Sequence, residues 1–133
     1  MTVITKKAEY AVICLVELAS LKDNESTTTK SIAEKQEIPE NLAVQILAQL
    51  NKAGWTKGQR GPSGGVSLAR DPATITVKDV IELFDGPITI TRCLMQDTPC
   101  KNRSYCNLRT VWQEAQQTMT ERLAGTTIAD LLL

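Results

Sequence analysis

Cys93, Cys100 and Cys106 bring three thiols into a stretch of fourteen residues, spaced C-x6-C-x5-C. Thiolates are soft ligands that suit iron–sulfur clusters, zinc or copper(I), and they also carry out redox chemistry. The spacing lacks the paired C-x-x-C knuckles of a structural zinc site and offers no C-x-x-C redox motif. Spacing alone therefore leaves two chemistries open: a bound iron–sulfur cluster, or other thiol chemistry. The fourth cysteine, Cys14, lies inside an apolar helical repeat and reads as a small buried hydrophobe. The chain has no histidine, which excludes Ser-His-Asp and Cys-His catalytic pairs, histidine-ligated zinc and histidine-ligated haem.

The elements that position these thiols must come from a chain of 133 residues, enough for one sizeable core. Hydrophobic residues make up 42% of it, but only one Phe, two Trp and two Tyr are present, so the core is expected to be aliphatic. The apolar stretch YAVICLVELA is too short to span a bilayer, is preceded by Glu9 and is interrupted by Glu17. No small-residue cleavage site follows it, so a cytoplasmic protein with no membrane partner is expected. In that compartment clustered cysteines bind metal or do redox work more often than they form disulfides.

Residues 5–21 repeat Ala8, Ala11, Val12, Leu15, Leu18 and Ala19 at helical spacing, with Thr5 as N-cap. Thr28 or Thr29 caps a short helix through Ile32 and Ala33. A turn at Glu37-Ile38-Pro39 follows, with Pro39 in the first turn of a second helix. That helix turns Leu42, Ile46, Leu47 and Leu50 inward and stops at Gly54. WTKGQR and VSLAR then read as two short strands around the glycine-rich tip GPSGG. Helix, turn, helix, hairpin is the winged-helix order. Thr76 and Asp79 open a further helix, ended by Asp85-Gly86-Pro87, before the cysteine stretch. From Asn107 to Leu123 the residues Leu108, Val111, Trp112, Ala115, Met119 and Leu123 form one stripe on a helix of roughly 25 Å. Little chain is left to cover that stripe, so a partner subunit is expected to do so. Thr126 or Thr127 caps a last short helix, IADLL. The expected architecture is mainly α with a small β-hairpin, a winged helix-turn-helix plus a long C-terminal dimerisation helix. Residues 1–85 form the DNA-binding unit, 86–106 the cysteine loop, and 107–133 the dimerisation helix with its terminal short helix.

The formal net charge is zero, so binding to nucleic acid must rest on local charge. Between Asn51 and Arg70 stand Lys52, Lys57, Arg60 and Arg70 with no acidic residue, a local footprint for phosphate. In the helix before them Asn41, Gln45 and Gln49 recur every four residues on one face, and Asn and Gln can each pair bidentately with adenine. Lys52 and Lys57 suit phosphate contacts that position the protein. Arg60, at the edge of the glycine-rich tip, is placed to enter an adjacent minor groove, and Ser63 within that tip joins the DNA-facing set.

TKKAEYAV, SIAEKQEIPENLAVQILAQLNKAG, RGPSGGVSLAR, ITVKDVIELFDGP, the three cysteines and TTIADLL occur in an order that resembles the IscR/NsrR family of winged-helix transcription regulators along nearly the whole chain. The resemblance implies a homodimer on a palindromic operator, long helices crossing at the dimer interface, and Gln45 on the recognition helix. It also implies that Cys93, Cys100 and Cys106 ligate a 2Fe–2S or 4Fe–4S cluster. Iron–sulfur biogenesis regulators of the family use a histidine three residues after the third cysteine, but this chain has Arg109 there. Nitric-oxide-sensing and redox-sensing relatives use a carboxylate near the N-terminus of the other subunit, and Glu9 matches that position. Cys14 and an exogenous thiol or water are the remaining candidates for the fourth ligand.

Overall fold

Three of the helices start where a threonine hydroxyl precedes an apolar repeat. Helix α1 spans Lys6–Ala19, and the Thr5 side chain caps it by accepting from the Ala8 N–H at 3.2 Å. Thr5 in turn donates its N–H and its hydroxyl to the Asp85 carboxylate, at 2.9 and 2.6 Å. Asp85 ends helix α4 (Val77–Asp85), where the helix dipole disfavours an acid. The two Thr5 donors offset that cost and tie the start of α1 to the end of α4. The computed structural model describes residues 4–23, 25–58, 65–91, 94 and 107–132.

Helix α2 (Thr29–Gln36) is capped by Thr28, and α3 covers Glu40–Lys52. Between them Glu37 takes the left-handed conformation at φ 55°, while Ile38 N–H donates to Ala33 O at 2.9 Å. Pro39 is the N-cap of α3 and not its first helical residue. Its fixed φ suits either position, and the turn spans Glu37–Pro39 as the sequence pattern implies. Helix α3 closes with the bond pair of a Schellman motif, Trp55 N–H to Leu50 O and Gly54 N–H to Asn51 O, around Gly54 at φ 83°. That reversal swings the chain directly into strand β1 (Thr56–Gly58), which pairs antiparallel with β2 (Val66–Leu68).

The wing base has a third member that the sequence does not announce. Thr27 bridges to Val66, and their backbone groups exchange both hydrogen bonds. Gly65 is packed so closely there that an added Cβ would sit 2.5 Å from Ser26 Oγ and 3.0 Å from Thr27 O.

A 3-10 turn (Pro72–Thr74) leads to α4, which opens with a complete capping box between Thr76 and Asp79. Helix α5 covers Asn107–Ala124. The terminal short helix takes the form of a 3-10 turn (Ala129–Leu131), with Thr127 and Asp130 bonded reciprocally. It folds back on residues 75–77: Val77 N–H donates to Thr126 O, and Ile128 N–H donates to Ile75 O. Ile128 becomes fully buried in the main core.

That core is aliphatic, joining Ala11, Cys14, Leu15 and Leu18 of α1 to Ile32, Ile38, Ala43, Ile46, Leu47, Leu50, Ile75, Val80 and Ile128. Leu42 is only half-buried, and Ala43 takes the inward position beside it. Ala8, Ile81 and Ile88 make a smaller cluster, on which Met119 and Leu123 of α5 pack. Helix α5 has no buried residue, and Leu108 and Val111 near its start are each 55% exposed.

Gly65→Ala is expected to destabilise the fold by about 1–3 kcal/mol through overpacking at the wing base. Denaturant titration measures this, and adding Ser26→Gly should recover part of the loss.

Candidate nucleic-acid interface and thiol segment

Helix α3 divides its residues by angle. Ala43, Ile46, Leu47 and Leu50 face the core, while Asn41, Val44, Gln45, Ala48, Asn51 and Lys52 are exposed. Asn41 and Gln45 therefore stand where two amide side chains can reach base edges together. Gln49 does not join them. Its Nε2 donates to Leu83 O of α4 at 3.2 Å, and the side chain is half-buried. A repeat of four residues drifts about 40° around a helix at each step, so the third member arrives at the edge of the buried face. Gln49 is a tie between α3 and α4.

Charge is sorted in a similar way. Lys52 and Lys57 are exposed, one at the end of α3 and the other in β1. Arg70 is exposed but engaged with its own neighbours. Its Nε and Nη2 donate to Oγ1 and O of Thr74 at 3.1 Å, and its guanidinium lies 5.8 Å from the centre of the Trp55 ring. It braces the hairpin against the turn that follows. Of the basic residues in this stretch, Lys52 and Lys57 remain for phosphate among the described residues. Arg60 and Ser63 lie outside the described residues.

Sequence reasoning passed over Val44. It is 52% exposed on the outer face of α3, beside Ala48 on the side away from the Asn41 and Gln45 side chains. The signal available in the sequence was an apolar residue out of phase with the Leu42/Ile46/Leu50 stripe.

Cys93, Cys100 and Cys106 also lie outside the described residues. The chain that leads to them is anchored: Ile88 is buried against Ala8 and Ile81, and Ile90 N–H donates to Gln116 Oε1 of α5 at 2.9 Å. Gln116 is a second residue that the sequence did not single out. The other candidate ligands separate clearly. Cys14 is fully buried, and burial, with a smaller contribution from the charge of Glu17, pushes its thiol from 9.0 up to about 12. A thiol so placed is neither ionised nor reachable, so Cys14 is a core residue. Glu9 is exposed in the first turn of α1. Its only ion pair among the described residues is to Lys6, at 3.7 Å with both side chains more than half exposed. Such a pair contributes little and leaves the carboxylate available. Among the described residues no helix is long and apolar enough to cross a membrane.

Comparison with known proteins identifies the family and relatives of the chain. The sequence model of the family Rrf2, described as an iron-dependent transcriptional regulator, matches residues 4–133. The chain is 32% identical over 128 residues to the HTH-type transcriptional regulator CymR of Bacillus subtilis, covering 96% of this chain and 88% of that protein. It is 29% identical over 129 residues to the HTH-type transcriptional regulator IscR of Vibrio vulnificus, covering 97% and 76%. Among solved structures it is similar to CymR, the global cysteine regulator of B. subtilis, with a TM-score of 0.79 and 31% identity, covering 98% of this chain and 96% of that one. It is also similar to T. potens IscR, with a TM-score of 0.76 and 30% identity, covering 96% and 84%.

Gln45→Ala and Gln49→Ala should separate two roles. Gln45→Ala is expected to weaken specific DNA binding by about 1–3 kcal/mol without changing stability. Gln49→Ala is expected to cost about 0.5–1.5 kcal/mol of stability, the value of one lost hydrogen bond. DNA titrations and denaturation of both variants measure this.

Proposed function

Because the chain belongs to the Rrf2 family of transcriptional regulators, and is a DNA-binding regulator rather than an enzyme, we propose that an iron–sulfur cluster controls its operator binding. The cluster would sense redox state, nitric oxide or cluster supply. The observation that carries this reading is the donor set. Three thiols fall within fourteen residues, and the exposed carboxylate of Glu9 is not committed to the interior. Cys93, Cys100 and Cys106 of one protomer and Glu9 of the partner subunit would hold a 2Fe–2S or 4Fe–4S cluster. When bound, the cluster supplies an electron-transfer centre open to attack by oxidants and nitric oxide.

The remaining roles belong to the chain's own residues. Asn41 and Gln45 hydrogen-bond base edges in the major groove. Lys52 and Lys57 neutralise phosphates and fix the register, while Arg60 and Ser63 of the wing tip reach the neighbouring minor groove. Leu108 and Val111 of α5 meet a second copy of the chain, which makes the protein a homodimer for a palindromic operator. Residues 1–85 then act as the DNA-binding unit, 86–106 as the cluster loop and 107–133 as the dimerisation element, in a cytoplasmic protein. Helix α1 carries Glu9 on its outer surface and packs against α3 on its inner one. A tie at Glu9 therefore acts on the helix that positions the recognition face, and its release alters how the two half-sites, one helical turn or a multiple apart, are met.

A second reading rests on the similarity to CymR, named as a global cysteine regulator. In it the chain is a cluster-free winged-helix regulator, controlled by a partner or by direct oxidation of its cysteine thiols. Iron and sulfide analysis with visible and paramagnetic-resonance spectra, on protein purified without oxygen, decides between the two. The cluster reading predicts a coloured protein containing iron and sulfide, loss of both in Cys100→Ser, and an altered spectrum or faster cluster loss in Glu9→Ala. A colourless, iron-free protein after reconstitution would contradict it and favour thiol control.

A further inference from the structure

Val44 is the large hydrophobic side chain left exposed on α3, at 52%. Single exposed aliphatics are common on protein surfaces, so its neighbours decide whether it has a task. Taking 100° per residue, the exposed arc of α3 holds Glu40, Asn51, Val44, Ala48, Asn41, Lys52 and Gln45 in angular order. Val44 and Ala48 are one turn apart and form a short apolar strip with Asn51 on one side and Asn41 on the other. Ala48 lies near the middle of the arc, where its small side chain permits close approach. A helix docked with Ala48 and Asn41 toward the groove floor presents Val44 and the amide side chains of Asn41 and Gln45 to base edges together. The apolar group exposed on that floor is the 5-methyl of thymine.

We propose that Val44, with Ala48 beside it, is a specificity-determining residue that packs on a thymine 5-methyl next to the bases bonded by Asn41 and Gln45. This rests on α3 being the recognition helix. It adds a requirement for thymine that the amide side chains, which favour adenine, do not impose on that strand.

The test uses the full chain, purified without oxygen, and an operator duplex selected from a random pool by the wild-type protein. Each thymine is replaced in turn by deoxyuridine, which removes only the methyl. Wild-type affinity is expected to fall about fourfold at one position per half-site, the value of burying one methyl group. Val44→Ala should bind the unmodified duplex with a similar loss and be indifferent to deoxyuridine at that position. If Gln45→Ala loses affinity but no thymine is coupled to Val44, this proposal fails and the recognition-helix reading stands. If Gln45→Ala and Val44→Ala both bind the selected duplex like the wild type, the proposal and that reading fail together.

Discussion

The contact on which the structure depends is the aliphatic packing of α1 against α3. Cys14 and Leu15 of α1 are fully buried with Ile46 and Leu50 of α3, and Leu18 and Leu47 are nearly so. Burying each large aliphatic side chain contributes about 1.5–3 kcal/mol. A close-packed interface of this kind does not deform continuously. Helix α3 therefore cannot rotate about its own axis without opening the core, and its outer face is presented as a fixed surface. Any signal that reaches α3 must move it as a body. Helix α1 is well placed to transmit one, because it also packs on α4 and touches α2 and β2.

That fixed surface explains how a chain with no net charge can bind DNA. Lys52 and Lys57 are concentrated where α3 passes into the wing, and the Schellman turn at Gly54 holds those two segments together. Arg70, in the same stretch, is hydrogen-bonded to Thr74 at the surface and lies over the Trp55 ring. In the proposed reading, phosphate contacts made by a few cations would fix position, and the amide and apolar side chains of α3 would supply sequence preference. The wing is held from below as well, since Thr27 pairs with Val66 and leaves no room for a side chain at Gly65.

Caps and stripes were legible because they are local. Thr5, Thr28 and the Thr76/Asp79 box act within four residues, and the positions of Ile46 and Leu50 follow from helical period. Features that depend on distant partners were not. Nothing near Gln49 indicates that Leu83 O will take its amide proton, and nothing near Thr27 announces Val66 as its neighbour. The terminal segment read as a helix by pattern, but its hydrogen bonds to residues 75–77 draw Ile128 into the core and limit the helical part to one 3-10 turn. At the candidate cluster site the thiol spacing was visible, yet the status of Cys14 needed the fold, because a cysteine in an apolar repeat becomes inert only once the repeat is buried.

In the proposed switch, a cluster held by the cysteine loop and Glu9 is coupled, through α1, to the recognition face of α3. Coupling between sites in proteins commonly amounts to about 1–3 kcal/mol. The most direct measurement compares operator affinity of the anaerobically reconstituted protein with that of the cluster-free form, at one salt concentration. Cluster control predicts affinities that differ by about tenfold or more. Equal affinities for the two forms would contradict it.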